Sequence, residues 1–216
     1  MGSFKRLSRQ RYHMDAHGLV IPPLLQTSLE ITLLATAMIL LLAPRDGRVH
    51  EAITLILLAV VGRVLMAPIP NVQPVTVLVI LASLRLGTAR GVSLGILVAY
   101  LSNLFLGGGP WTIVQAISWG SVGLATGMFA DAIRKDDYEL CIRSFCLFSI
   151  PMAFLFGFVV SLPLGIMAWV NGIPFDVLHA IGNLTIAVWL LQPFDTTLEW
   201  VRPDLNRGLT APSRQV

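Results

Sequence analysis

Six apolar segments lie between Glu51 and Leu191, joined by loops that alternate between basic and charge-free. Apolar runs long enough to cross a bilayer satisfy their backbone in lipid only as helices or closed barrels, and runs of this length read as helices. Glu51–Ala67 ends in the uncharged loop Pro68–Gln73, and Pro74–Leu84 in a loop with Arg85 and Arg90. Gly91–Leu106 ends in the uncharged Gly107–Pro110, and Trp111–Ala130 in a charged loop with Arg134, Lys135 and Arg143. Phe145–Val170 ends in the uncharged Asn171–Pro174, and Phe175–Leu191 in a tail with Arg202, Arg207 and Arg214. Lys and Arg stay on the cytoplasmic side of short loops. The pattern therefore predicts a multi-pass protein of the cell membrane, with the C-terminus cytoplasmic and three uncharged loops outside.

Composition agrees. Only 12% of the 216 residues are charged, against about 25% in soluble domains. The net charge of +3 does not point to nucleic acid, because the basic residues sit in short loops where they set topology. Cys141 and Cys146 make neither a disulfide framework nor a metal spacing, and are read as reduced and structural.

The organisation expected is a basic tail over residues 1–20, an extra hydrophobic helix over 24–43, a six-helix membrane domain over 51–191 and a cytoplasmic tail over 192–216. Leu24–Ala43 matches a bilayer in length. If it spans, the tail with Lys5, Arg6, Arg9 and Arg11 lies outside, against the charge rule; if it lies in the interface, the tail lies inside. Length favours spanning.

The stretch Ser102–Gly120, SNLFLGGGPWTIVQAISWG, holds the densest chemistry. A glycine-rich break precedes a helix on which Trp111, Gln115 and Trp119 share one face. They offer an apolar wall with one amide and two indole N–H donors. Trp111 also suits an interfacial anchor and Trp119 a core position. Asn103 either touches ligand or pins the hinge. Asp176, His179 and Asn183 fall on one face of the last core helix, which is costly in a membrane unless it meets protein or a wet cavity. Asp176 and His179 can pair with each other. Arg63, inside a core helix, either meets an anionic group on a ligand or pairs with Asp176, and the pairing is the safer expectation. The three uncharged loops suggest a lid over a ligand site, with Asn71 in the first of them.

Three stretches resemble the substrate-binding (S) component of energy-coupling factor vitamin transporters, and most closely its cobalamin-type branch. They are GRVLMAPIPNVQPVT (Gly62–Thr76), LSNLFLGGGPWTIVQAISWGSVGLATG (Leu101–Gly127) and IPFDVLHAIGN (Ile173–Asn183). The chain differs from that branch at Gly108, Ile113, Val114 and Ala116. The resemblance implies an all-α membrane protein with a six-helix core, to which Leu24–Ala43 is extra. It also implies a subunit that captures a vitamin outside and delivers it inward with a transmembrane coupling protein and two ABC ATPases. Arg63, Asn71, Asn103, Trp111, Gln115, Trp119, Asp176, His179 and Asn183 are the candidate substrate contacts. S components use small residues on their first core helix to meet the coupling protein, which here nominates Ala52 and Ala59; ordinary packing between helices is the rival. No cofactor and no metal is assigned.

The chain has no G-x-x-x-x-G-K-[ST] loop, so ATP hydrolysis falls to partners. Two other classes compete. An intramembrane hydrolase would use Ser121 with His179, but these sit toward opposite ends of the bundle and no G-x-S-x-G elbow is present. A passive channel or scaffold would bind nothing tightly. The expectation is a transport subunit, not an enzyme.

Overall fold

The computed structural model describes residues 19–133 and 142–197, and these form helices without any strand. The helices are α1 (Pro23–Leu42), α2 (Val49–Leu65), α3 (Val75–Leu86), α4 (Thr88–Leu106), α5 (Pro110–Met128), the single turn α6 (Ala130–Ile133), α7 (Ile142–Ser161) and α8 (Ile166–Thr197). Among the described residues, four stretches are long and apolar enough to cross a membrane: Pro23–Leu42, Thr88–Leu106, Arg143–Leu164 and Ile166–Leu190. Most of the two tails, and Arg134, Lys135 and Cys141, lie outside the described residues.

The shortest apolar helix organises the rest. At 12 residues, α3 is only about 18 Å long, well short of a ~30 Å hydrocarbon core. Every residue in it except Arg85 is buried. A helix apolar on all sides belongs in a protein core or in lipid, and α3, too short to span, is enclosed by α2, α4, α5, α7 and α8. Its only non-helical boundary with α4 is Gly87, whose φ of 93° turns the chain back at once.

Helices α4 and α5 approach closely through glycine. A Cβ on Gly95 would stand 2.6 Å from the Trp119 carbonyl carbon, and one on Gly123 would stand 2.7 Å from the Val92 nitrogen. Small residues permit such backbone contact where apolar burial between helices gives no preference over lipid. This crossing fixes the height of Trp119 against α3.

The charged end is built, not merely solvated. Arg90 is fully buried in the first turn of α4. It donates to both Asp46 oxygens at 2.7 and 2.6 Å, and to the carbonyls of Leu41 (3.4 Å) and Pro44 (3.0 Å). It thereby satisfies carbonyls left open at the end of α1. The Arg90 hydrogen bonds hold the Asp46 carboxyl below the usual carboxylate range, so Asp46 is a carboxylate at neutral pH. Ser93 adds a 2.8 Å bond to the Ala37 carbonyl. These contacts run α1 antiparallel along α4. Beside them Glu51 bridges Arg48 and Arg85 at 2.8 and 3.0 Å. Arg90, expected as a topogenic loop residue, is thus an anchor within a helix.

One loop is corrected. Residues Asn171–Pro174 are helical, in the first turns of α8, and the chain turns earlier, at Leu162–Gly165. Pro163 opens that 3₁₀ turn and Gly165 closes it with a φ of 89°. Left-handed backbone is easy for glycine and costly elsewhere. Asn171 and Gly172 are helix-compatible, and Pro174 removes only one bond to the preceding turn. The exposed surface is apolar, as lipid contact requires: Leu24 and Ile39 on α1 are 83% and 66% exposed.

Gly95→Ala should lower the thermal unfolding midpoint of the detergent-purified protein. Overpacking of this kind costs about 1–3 kcal/mol. An unchanged midpoint would contradict the close α4–α5 crossing.

Candidate functional site

The last turn of α2 delivers Arg63 into the interior, where it is 5% exposed. A guanidinium this deep needs its donors satisfied. Its Nη1 donates to the Asn103 Oδ1 at 2.8 Å and to the Ser102 hydroxyl. Its Nε donates to Gln73 Oε1 and its Nη2 to Gln115 Oε1, each at 3.2 Å. All four partners are neutral. Among the described residues no carboxylate forms an ion pair with Arg63.

The expected Arg63–Asp176 pair is therefore not made. Arg63 reaches α4 and α5, where side-chain oxygens are concentrated, whereas Asp176 on α8 is backed by α7. A Cβ on Gly157 would collide with the Asp176 carboxylate. Asp176 is 6% exposed, and its Oδ2 finds no hydrogen-bond partner. Asp176 does not pair with His179 either.

Asn103 pins the glycine break. Its Nδ2 donates at 2.8 Å to both Thr112 Oγ1 and Gln115 Oε1, while its Oδ1 accepts from Arg63. Thr112 in turn accepts from the Gly109 amide at 3.3 Å. One amide side chain thus ties the end of α4, the start of α5 and the α2 arginine together.

The guanidinium carbon of Arg63 lies 4.9 Å from the centre of the Trp119 ring, a cation–π arrangement. Trp119 is 3% exposed. Its Nε1 donates to Thr76 Oγ1 at 3.3 Å, and that hydroxyl is 3.0 Å from His179 Nε2. The Thr76 hydroxyl thereby joins the Trp119 indole to the His179 ring. Phe156 of α7 fills the space between, 4.8 Å from Trp119 and edge-on to His179 at 5.3 Å. Asn183, fully buried, donates to the Ser149 carbonyl at 3.2 Å, and its Oδ1 is left without a partner.

The structure thus brings Arg63, Asn103, Gln115 and Trp119 into one network, and extends it through Thr76 to His179. Asp176 and Asn183 share His179's face of α8. Asn71 sits on the rim, with a φ of 57° and its Nδ2 3.3 Å from the Phe175 carbonyl. Trp111, one turn above Gln115, is half-buried.

Ala52 and Ala59, the expected contacts with a coupling protein, are 1% and 0% exposed and pack within the core of this chain. The outward face of α2 carries Ile53, Leu57 and Val61 instead. Ser121 bonds the Ile117 carbonyl of its own helix at 2.9 Å, and His179 bonds Thr76, so no Ser–His dyad forms between them. Sequence reasoning missed Gln73, Thr76, Ser102, Thr112 and Phe156 as members of the network. Ser102 stood beside Asn103 in the central stretch, but threonine and phenylalanine in an apolar run carry no signal of their own.

Thr76→Val should lower the unfolding midpoint by orphaning two buried partners, Trp119 Nε1 and His179 Nε2. Each such loss costs about 1–3 kcal/mol. A midpoint equal to or above that of the parent protein in detergent would contradict the Trp119–Thr76–His179 connection.

Comparison of the chain with known protein families, curated proteins and solved structures found no match.

Proposed function

We propose that this chain is the substrate-binding subunit of an energy-coupling factor importer, capturing a vitamin at the outer face of the cell membrane. Cobalamin is the first candidate; another vitamin or a modified-base precursor is the alternative. In this reading α2–α5, α7 and α8 form the six-helix core, α1 is an additional span, and the Arg90 end faces the cytoplasm. A coupling protein and two ABC ATPases supply the work of release.

One observation carries the reading. The three stretches that resemble S components converge in the structure. Gly62–Thr76 contributes Arg63, Gln73 and Thr76; Leu101–Gly127 contributes Ser102, Asn103, Thr112, Gln115 and Trp119; Ile173–Asn183 contributes Asp176, His179 and Asn183. Ionisable side chains buried in a membrane bundle are costly, and they mark ligand or ion pathways by default. The cluster lies beneath the α2–α3 loop and the Gly107–Gly109 break, where a ligand arriving from outside would meet it. Trp119, Phe156 and Trp111 supply apolar area, and Arg63, Gln115 and His179 supply orientation.

Binding of isotopically labelled cobalamin to the detergent-purified chain, with riboflavin, biotin and thiamine as competitors, tests this. Stoichiometric cobalamin binding, weakened at least tenfold by Gln115→Ala, is the expected result. Displacement or thermal stabilisation by a different vitamin would keep the S-component reading and change the cargo. A folded sample that responds to no vitamin would overturn it.

A further inference from the structure

We propose that the ligand of this site carries an oxyanion, a carboxylate or phosphate, that docks side-on against the Nε–Nη2 edge of Arg63 by displacing Gln73 and Gln115. The inference deepens the proposed function by naming the charge its substrate presents.

Three observations support it. First, the charge on Arg63 is uncompensated. Its partners among the described residues are two amides of glutamine, one of asparagine, a hydroxyl and an indole face. A buried cation without an anion is costly, and the cost falls when a ligand supplies the anion.

Second, the two edges of the guanidinium are held differently. Nη1 is fixed into α4 by Ser102 and by Asn103 at 2.8 Å, and both of those side chains are buried. Nε and Nη2, the pair whose parallel N–H bonds receive a bidentate oxyanion, meet Gln73 and Gln115 at the longer distance of 3.2 Å. The two glutamine carbonyl oxygens occupy the two positions that the oxygens of a carboxylate or phosphate would take.

Third, those glutamines stand on the accessible side. Both are only half-buried. Gln73 belongs to the α2–α3 loop, and Gln115 is one turn below Trp111 on α5. Rotating either amide withdraws an acceptor and offers its NH₂ donors to the incoming anion. Trp119 remains beneath the guanidinium as its floor throughout. The exchange leaves the Nη1 bonds to Ser102 and Asn103 in place, while Asn103 Nδ2 gives up its bond to Gln115 and keeps the one to Thr112.

The test uses the full chain in detergent at fixed ionic strength, with sodium chloride replaced by sodium phosphate or sodium acetate. The unfolding midpoint of the parent protein should rise in phosphate and acetate relative to chloride, and that rise should vanish in Arg63→Met. Gln73→Glu places a carboxylate on the chain where the oxyanion would sit. It should raise the midpoint in chloride and abolish the response to phosphate, and it keeps the proposal falsifiable should Arg63→Met fail to fold. Equal responses in parent and variants would overturn the proposal. Matched ligands then identify the source of the anion. Cobalamin against cobinamide, which lacks the phosphodiester, and thiamine monophosphate against thiamine should each show at least tenfold preference for the anionic member wherever the pair binds. An oxyanion response without vitamin binding keeps this inference and removes the transporter reading. Vitamin binding with no oxyanion preference does the reverse.

Discussion

A single buried guanidinium dictates the chemistry of this bundle. Arg63 enters from α2 with no carboxylate among the described residues to meet it, and its surroundings supply neutral oxygens from Gln73, Ser102, Asn103 and Gln115 together with the face of Trp119. Each of these side chains is placed by backbone features elsewhere. Trp119 is held at its height by the glycine crossing of α4 and α5, and Asn103 is held by the hinge it pins. The network is thus as much a product of close helix packing as of polar attraction.

The opposite end of the molecule solves the same problem in the other way. Arg90 is as deeply buried as Arg63, but it has Asp46 and the open carbonyls of α1 to neutralise and saturate it. That end is complete without a ligand and serves to dock α1. Two buried arginines, one fully paired and one not, divide the protein into a structural pole and a pole with unspent electrostatic capacity. Asp176 and Asn183, each with an oxygen lacking a partner, add to the latter.

Much of this was legible beforehand, and the reasons for the exceptions are physical. The helical architecture followed from apolar length, and α1–α5 begin and end within a few residues of the expected segments. Glycine and proline predict a turn at Asn171–Pro174, but the chain turns at Leu162–Gly165 through the same residue types inside an apolar run. Burial of Asp176, His179 and Asn183 followed from their shared helix face. Their partners did not, since whether His179 meets Asp176 or Thr76 depends on helix rotation and height, which spacing does not encode. The small residues of α2 were visible as a stripe, but a stripe suited to a partner and a stripe suited to the core look alike. Ala52 and Ala59 are buried within this chain.

The central proposal is that the Arg63 cluster is a ligand site and not merely a polar core. Native mass spectrometry of the full chain, incubated with a mixture of vitamins and released gently from detergent, addresses that claim most directly. The expected result is one small-molecule adduct per chain, retained by the parent protein and lost in Arg63→Met. Bare protein in both samples, or the same adduct at equal occupancy in both, would contradict it.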